Sequence, residues 1–415
     1  MQPLVWHKLA DVTCQRRPSN PHYQPWEEVT AGVGEDPFAV CSERFTFAWY
    51  HLDWSAAAIG AELSDSALYL KWDHEGESNL HVHGQPYAGY DPNHKYHRLP
   101  GEVKEAAVHV MTMGNPSRLK EAALYRRDEA AWQALHDWET LQELAKLTMN
   151  RFASGFGTRD YGATYHPPLD LADKFSRRLL RLLDQACDAF ERSGLEAFRE
   201  ACARVWAECP ADAQALNVTA TGHGHIDLVW MVPERCAEFK AVHTFSSMLH
   251  VMEEYPEMTF GYSQPASYQA VERLEPGLHS RVLERAREGR WDIEGAMWVE
   301  SDSWMASGEA LARSFTMGQD GFERLNGRPS RVLWLPDAFG FPSCLPQMMQ
   351  QCGVEFFYTT KLHWNPITFF PYTSFVWRGA DGSEVLAHVS QHDMGYTLDA
   401  RIKEMVTKNC VVEIF

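Results

Sequence analysis

The spacing of apolar positions along this chain changes twice. Between residues 44 and 113 it has the period of strands. Phe45, Phe47 and Trp49 alternate with other residues, and Ala67–Trp72 and Glu105–Met113 carry an apolar and aromatic bias. Gly76, Gly84 and the cluster Asp91, Pro92, Asn93 mark the turns between them. This part predicts a small β-sandwich, preceded by an irregular stretch, 1–40, holding Pro18, Pro21, Pro25 and Pro37. From Arg118 to Arg151 the chain is rich in Ala, Leu, Glu and Arg, and Leu169–Cys209 repeats apolar residues at helical spacing through Leu179, Leu183, Cys187 and Phe190. Both stretches predict helix, separated by the Gly- and Pro-bearing segment Ser154–Pro168.

From Ala211 onward strands and helices alternate. Ala215–Ala220, Met258–Tyr262, Trp291–Trp298, Arg331–Leu335, Glu355–Thr359 and Glu384–Val389 read as strands. Pro233–Tyr255, Gln264–Glu288 (broken at Pro276–Gly277), Gly308–Leu325 and Cys344–Cys352 read as helices. That alternation predicts a parallel sheet or barrel, whose ligands bind beyond the carboxyl ends of the strands. The domains expected are 1–117 (β-rich, accessory), 118–210 (a helical connector) and 211–415 (α/β).

The carboxyl ends carry the chemistry. Thr221–Trp230 places His223, His225, Asp227 and Trp230 just after the first of these strands. If the strand continues, side chains two apart share a face, so His223, His225 and Asp227 would line one side. Imidazole and carboxylate together suit Zn²⁺ or a similar divalent cation. Asp337 follows an apolar strand through Pro336; its plain alternative is a helix N-cap. Glu300 and Asp302 follow another strand and read best as charges on a solvated loop. Asp393, beside His392, lies just past the last strand, and its pattern alone assigns it no role. Several carboxylates, two histidines and tryptophans at one sheet edge suit a metal-assisted hydrolase or a glycosidase carboxylate pair.

Composition narrows the classes. A net charge of −18 excludes a nucleic-acid binder that relies on Lys and Arg against phosphate. No stretch reaches the roughly 18 apolar residues of a membrane span, and the N-terminus does not read as a signal peptide. Nine scattered cysteines without a C-x-x-C pair suggest reduced thiols in a cytoplasm. The 15 tryptophans and 15 tyrosines suit sugar platforms, but packing of large side chains is the favoured explanation from composition alone.

Gly222–Trp230 resembles the G-H-x-H-I-D-x-x-W signature of glycoside hydrolase family 38, the α-mannosidases. Phe260–Gln264, Gly295–Glu300 with Ser307–Glu309, Leu333–Gly340 with Leu345–Gln347, and Cys352–Val354 with Lys361–Asn365 agree with it in order and spacing. The match is close over 211–390 and looks most like the cytosolic branch. The resemblance implies an α/β catalytic part of the seven-stranded β/α-barrel type, incomplete at its C-terminus, and a retaining, zinc-dependent α-mannosidase acting on oligomannosides. It implies that His225, Asp227 and Asp337 bind the metal, that Asp337 is also the nucleophile, and that Trp230 and Phe339 border the sugar. It gives His223 no ligand role, which leaves a packed or hydrogen-bonded histidine. It aligns Asp393 loosely with a carboxylate and so offers it as acid/base candidate. A mannoside is the partner expected, a homo-oligomer is compatible, and nucleic acid and membrane are not partners.

The chain also departs from the pattern. Val232–Pro233 replaces an aromatic-proline pair, and Val389–Gln391 replaces F-P-P. The family's fourth metal ligand, a histidine near a G-D-G-G-G-P segment, has no counterpart before Phe415. The expectation is therefore a truncated form that binds zinc weakly and turns over little. The alternative is a catalytically silent isoform that binds sugar or a partner. A metal-dependent deacetylase on a similar barrel is a third reading, disfavoured by the co-linear Trp298–Glu300 and Leu335–Gly340 motifs.

Overall fold

The computed structural model describes residues 2–17, 22–24, 35–57, 67–101, 103–113, 116–149, 174–208, 221–363 and 370–389. It is a mixed α/β structure. After a short helix, α1 (Gln2–Val5), the first half forms two antiparallel sheets. One has the order β2-β3-β8-β5-β6, built from β2 (Thr13–Arg16), β3 (Phe47–Asp53), β5 (Glu77–Val82), β6 (Gln85–Tyr90) and β8 (Glu105–Met111). The other has the order β1-β9-β4-β7, from β1 (Trp6–Asp11), β4 (Leu68–His74), β7 (Tyr96–Arg98) and β9 (Leu119–Arg127). Successive side chains on a strand point to opposite faces, so Tyr50, Leu52, Leu80, Val108 and Val110 face Leu70, Trp72, Leu119 and Leu124 in a shared core.

Two expectations are corrected here. The irregular reading of residues 1–40 misses β1 and β2, which extend the two sheets at their edges. The helical reading from Arg118 fails over Leu119–Arg127. That segment is a strand paired with β4 on one side and β1 on the other, and helix begins only at Glu129.

The opposite face of the five-stranded sheet is also covered. It presents Phe47 and Met111, in register across β3 and β8, to Cys236 and Phe239 of helix α5 (Glu234–Glu254). The Gly89 N–H donates to Ser247 Oγ at 3.0 Å. A Cβ at Gly89 would come within 2.5 Å of the His243 ring, so only glycine lets helix and strand approach this closely. Helices α2 (Glu129–Met149), α3 (Lys174–Ser193) and α4 (Leu195–Glu208) pack together through Leu141, Leu179, Leu183, Phe198 and Val205. Between α3 and α4, Gly194 adopts a left-handed φ of 79°, and its N–H closes on the Phe190 carbonyl.

The second half holds the parallel strands. β10 (Gly222–His223), β11 (Phe260–Tyr262) and β12 (Trp291–Ile293) run parallel in that order. β13 (Val332–Trp334), β14 (Phe356–Thr359) and β16 (Glu384–Val389) form a second parallel set, with β15 (Ser374–Arg378) antiparallel at its edge. The two sets meet where the Trp334 N–H donates to the Gly295 carbonyl at 3.3 Å. A Cβ at Gly295 would collide with the Ser263 carbonyl at 2.1 Å. The helices between the strands are α5, α6 (Pro265–Leu274), α7 (Pro276–Arg287), α8 (Gly308–Asn326) and α9 (Leu345–Gln351). Ser307 caps α8 through the Ala310 N–H, and Gly327 ends it at φ 71°. Large aromatic side chains fill the core around the first set: Phe245, Phe260, Tyr262, Tyr268 and Trp291. Among the described residues no helix is long and apolar enough to cross a membrane.

Candidate metal centre

The strand that introduces the His/Asp motif ends at His223, two residues before His225. Strand periodicity therefore does not govern the rest of the motif, and the expected single face of three ligands is corrected. His223 is still on the sheet, its side chain 4% exposed. Its Nδ1 donates to the Gly261 carbonyl at 3.0 Å, and its Nε2 accepts from the Trp334 indole at 3.2 Å. Burial holds its pKa below the ordinary value, so it is a neutral, hydrogen-bonded histidine. His225 and Asp227 lie in the loop that follows.

That loop meets the loop after β13. One ligand atom each from His225, Asp227 and Asp337 lies within 4.8 Å of the others. His225 Nε2 is 3.1 Å from Asp227 Oδ1 and 3.6 Å from Asp337 Oδ2. Burial lowers the His225 pKa, but the hydrogen bond and charge of Glu300, then the charges of Asp337 and Asp227, overcome it and raise the pKa to about 9. An imidazole nitrogen facing two carboxylates is a donor set of the right type and spacing for a divalent cation. Residues as far as 112 positions apart in sequence supply it.

The other predicted residues divide. Trp230 is 71% exposed and Phe339 66% exposed, both unusual for aromatic rings of this size. Phe339 is two residues past Asp337, and the Lys361 ammonium lies 5.4 Å from its ring centroid. Asp337 caps no helix, because α9 starts at Leu345. Asp393 lies outside the described residues, as does the predicted strand Ala215–Ala220.

Three residues were not legible as participants. Glu300, expected on a solvated loop, has a side chain 4% exposed that takes hydrogen bonds from His225 Nδ1 and Ser263 Oγ, both at 2.5 Å. Its neighbour Asp302 does sit in a loop turn, accepting from the Trp304 and Met305 N–H groups. Lys361, in the short 3₁₀ turn Lys361–His363 after β14, is buried and ion-pairs with Asp337 Oδ1. Trp304 is exposed and packs against Gly340, whose carbonyl accepts from Ser303 Oγ at 2.8 Å. The available signals were weak. Glu300 ends an otherwise apolar run, Ala296–Val299, and Lys361 follows a strand's carboxyl end.

Comparisons with known proteins find similarity to α-mannosidases. Alpha-mannosidase 2C1 of Homo sapiens is 36% identical over 220 residues, which cover 53% of this chain and 21% of that protein. Alpha-mannosidase G of Dictyostelium discoideum is 39% identical over 190 residues, 46% of this chain and 17% of that one. Alpha-mannosidase of Saccharomyces cerevisiae is 34% identical over 221 residues, 53% and 20%. The matched region thus spans about a fifth of the length of these relatives. Among solved structures, an alpha-mannosidase from Enterococcus faecalis V583 aligns with a TM-score of 0.35 at 20% identity, over 41% of this chain and 19% of that one. The family profile described as "Glycosyl hydrolases family 38 N-terminal domain" matches residues 215–410, so the segment that holds His225, Asp227 and Asp337 is similar to the N-terminal domain of glycosyl hydrolase family 38.

Proposed function

We propose that residues 211–415 form the catalytic part of a retaining, metal-dependent α-mannosidase that removes terminal α-mannose from oligomannosides. The observation that carries this reading is the convergence of His225, Asp227 and Asp337 beyond the carboxyl ends of parallel strands. The relatives' names supply the sugar. We also infer that the two parallel sets belong to one seven-stranded-type β/α barrel, a reading supported by the Trp334–Gly295 hydrogen bond between them.

In this reading His225 Nε2, Asp227 and Asp337 hold the cation, zinc being the first choice for an imidazole-carboxylate set. Such an ion, when bound, would supply Lewis-acid chemistry to the sugar's hydroxyls. Trp230 and Phe339, exposed and three and two residues past Asp227 and Asp337, offer aromatic faces to the apolar side of the sugar. Asp337 attacks the anomeric carbon as the bond to the leaving oxygen breaks. A second carboxylic acid gives that oxygen its proton, then takes one from water as the water cleaves the glycosyl ester. Retention places the two carboxyls about 5–5.5 Å apart. Asp393 is the candidate for the second. Lys361, paired with Asp337 Oδ1, orients the attacking carboxylate.

Hydrolysis of p-nitrophenyl α-mannoside with added Zn²⁺ tests the assignment. Asp337→Asn is expected to lower turnover by about a thousandfold or more with the fold intact by circular dichroism. Wild-type rates in that variant remove Asp337 as nucleophile. A wild-type chain that binds mannose and zinc without turning over supports the alternative, a silent sugar-binding form.

A further inference from the structure

The metal reading leaves open what aims the single imidazole of the donor set. In the loop after β10, His225 has no strand geometry to fix its ring. It is held instead from the segments after β11 and β12. Glu300 Oε2 accepts from His225 Nδ1, which turns Nε2 toward Asp227 and Asp337. Glu300 is itself fixed at two points, and the second partner ties back to the loop. Ser263 Oγ donates to Oε1, the Glu300 N–H donates to Gln264 Oε1 at 3.0 Å, and Gln264 Nε2 donates to the Ile226 carbonyl at 2.9 Å. Ring and backbone of the His225–Ile226 loop are thus both tied to the Ser263–Gln264 corner. A carboxylate kept out of water is expensive unless its oxygens are paired, and here both are.

We propose that Glu300 is a positioning residue for the metal centre: it fixes His225 in the orientation and tautomer that leave Nε2 free to bind a divalent cation. A carboxylate on the far nitrogen of a metal-binding histidine sets the ring's direction and strengthens it as a ligand, and losing such a partner typically costs 10–100-fold in metal affinity. The proposal rests on the metal reading above.

The test titrates the 415-residue chain with Zn²⁺ against a chromophoric chelator, alongside the metal-free melting temperature. Glu300→Gln keeps the shape and removes the charge; Ser263→Ala removes one of the carboxylate's anchors. His225→Gln is the control for the metal reading. The expected result is about 10–100-fold weaker zinc binding in Glu300→Gln, a smaller loss in Ser263→Ala, and a metal-free melting temperature close to wild type in both. Wild-type zinc affinity in Glu300→Gln, with binding lost in His225→Gln, overturns the positioning role alone. Zinc affinity unchanged in His225→Gln as well overturns the metal reading itself. A Glu300→Gln chain that melts earlier but, while folded, binds zinc as wild type does shows a purely structural carboxylate and also overturns the proposal.

Discussion

Two groups of histidines in this molecule show how the same side chain takes opposite fates. On the outer face of the five-stranded sheet, His81 and His109 are buried among aromatic rings. His109 stacks on Trp49, with ring centroids 4.2 Å apart and planes within 3°. Among the described residues neither nitrogen of His109 finds a hydrogen-bond partner. Burial pushes the His81 pKa down to about 3 and that of His109 well below its ordinary value. His225 is partly buried too, yet its pKa rises to about 9. The difference is its company: three carboxylates surround His225, and among the described residues none is paired with His109 or His81. A histidine's position in a strand or loop says little about its role. The charges that fold around it decide.

Exchanging the two environments' histidines gives the largest expected effect. His225→Gln should lower divalent-metal affinity by about a hundredfold or more, read by chelator competition, because it removes the one nitrogen of the donor set among the described residues. A comparable loss on replacing His109 would break the comparison.

Acid sharpens it. Burial lowers the pKa values of His74 to about 4, of His81 to about 3 and of His97 to about 3, the last with help from His250. The unfolded chain takes up protons on these residues from about pH 6.5 downward, while the folded one does so only near pH 4 and below. Each depressed pKa therefore contributes stability that is present above pH 6.5 and is lost as pH falls toward 4. The melting temperature of the metal-free chain should drop steadily over that window. A flat profile between pH 7 and 4.5 would show that these histidines are not buried in solution.

The smallest effect is expected at His109. His109→Phe keeps a ring against Trp49 and removes two unpartnered nitrogens, so it should raise stability by about 1 kcal/mol and leave zinc affinity unchanged. Destabilisation in a denaturant melt would mean that the ring's polarity is used.

The sequence showed most of the elements and part of the site, and the misses share one physical cause. Apolar runs such as Arg331–Leu335 and Met258–Tyr262 identify β13 and β11 because parallel strands are buried on both faces. Leu119–Arg127 misleads because Leu, Lys, Glu and Ala favour helix locally, and only the flanking β1 and β4 make it a strand. His225, Asp227 and Asp337 stand at strand ends and were legible as candidate ligands. Glu300 and Lys361 were not, because their importance lies in partners 75 and 24 residues away. Nothing near Glu300 distinguishes a buried carboxylate from a solvated one until Ser263 and His225 are brought to it.

The five-stranded sheet, closed on one face by its partner sheet and on the other by α5, has a consequence for how the chain is made. Its strands leave the ribosome well over a hundred residues before Glu254 completes the helix that covers Phe47 and Met111. At ordinary rates of translation, that face waits on the order of ten seconds for its cover. During that interval the nascent β layers keep an apolar face that α5 has yet to cover, which makes this the stage of synthesis at which a chaperone would matter most.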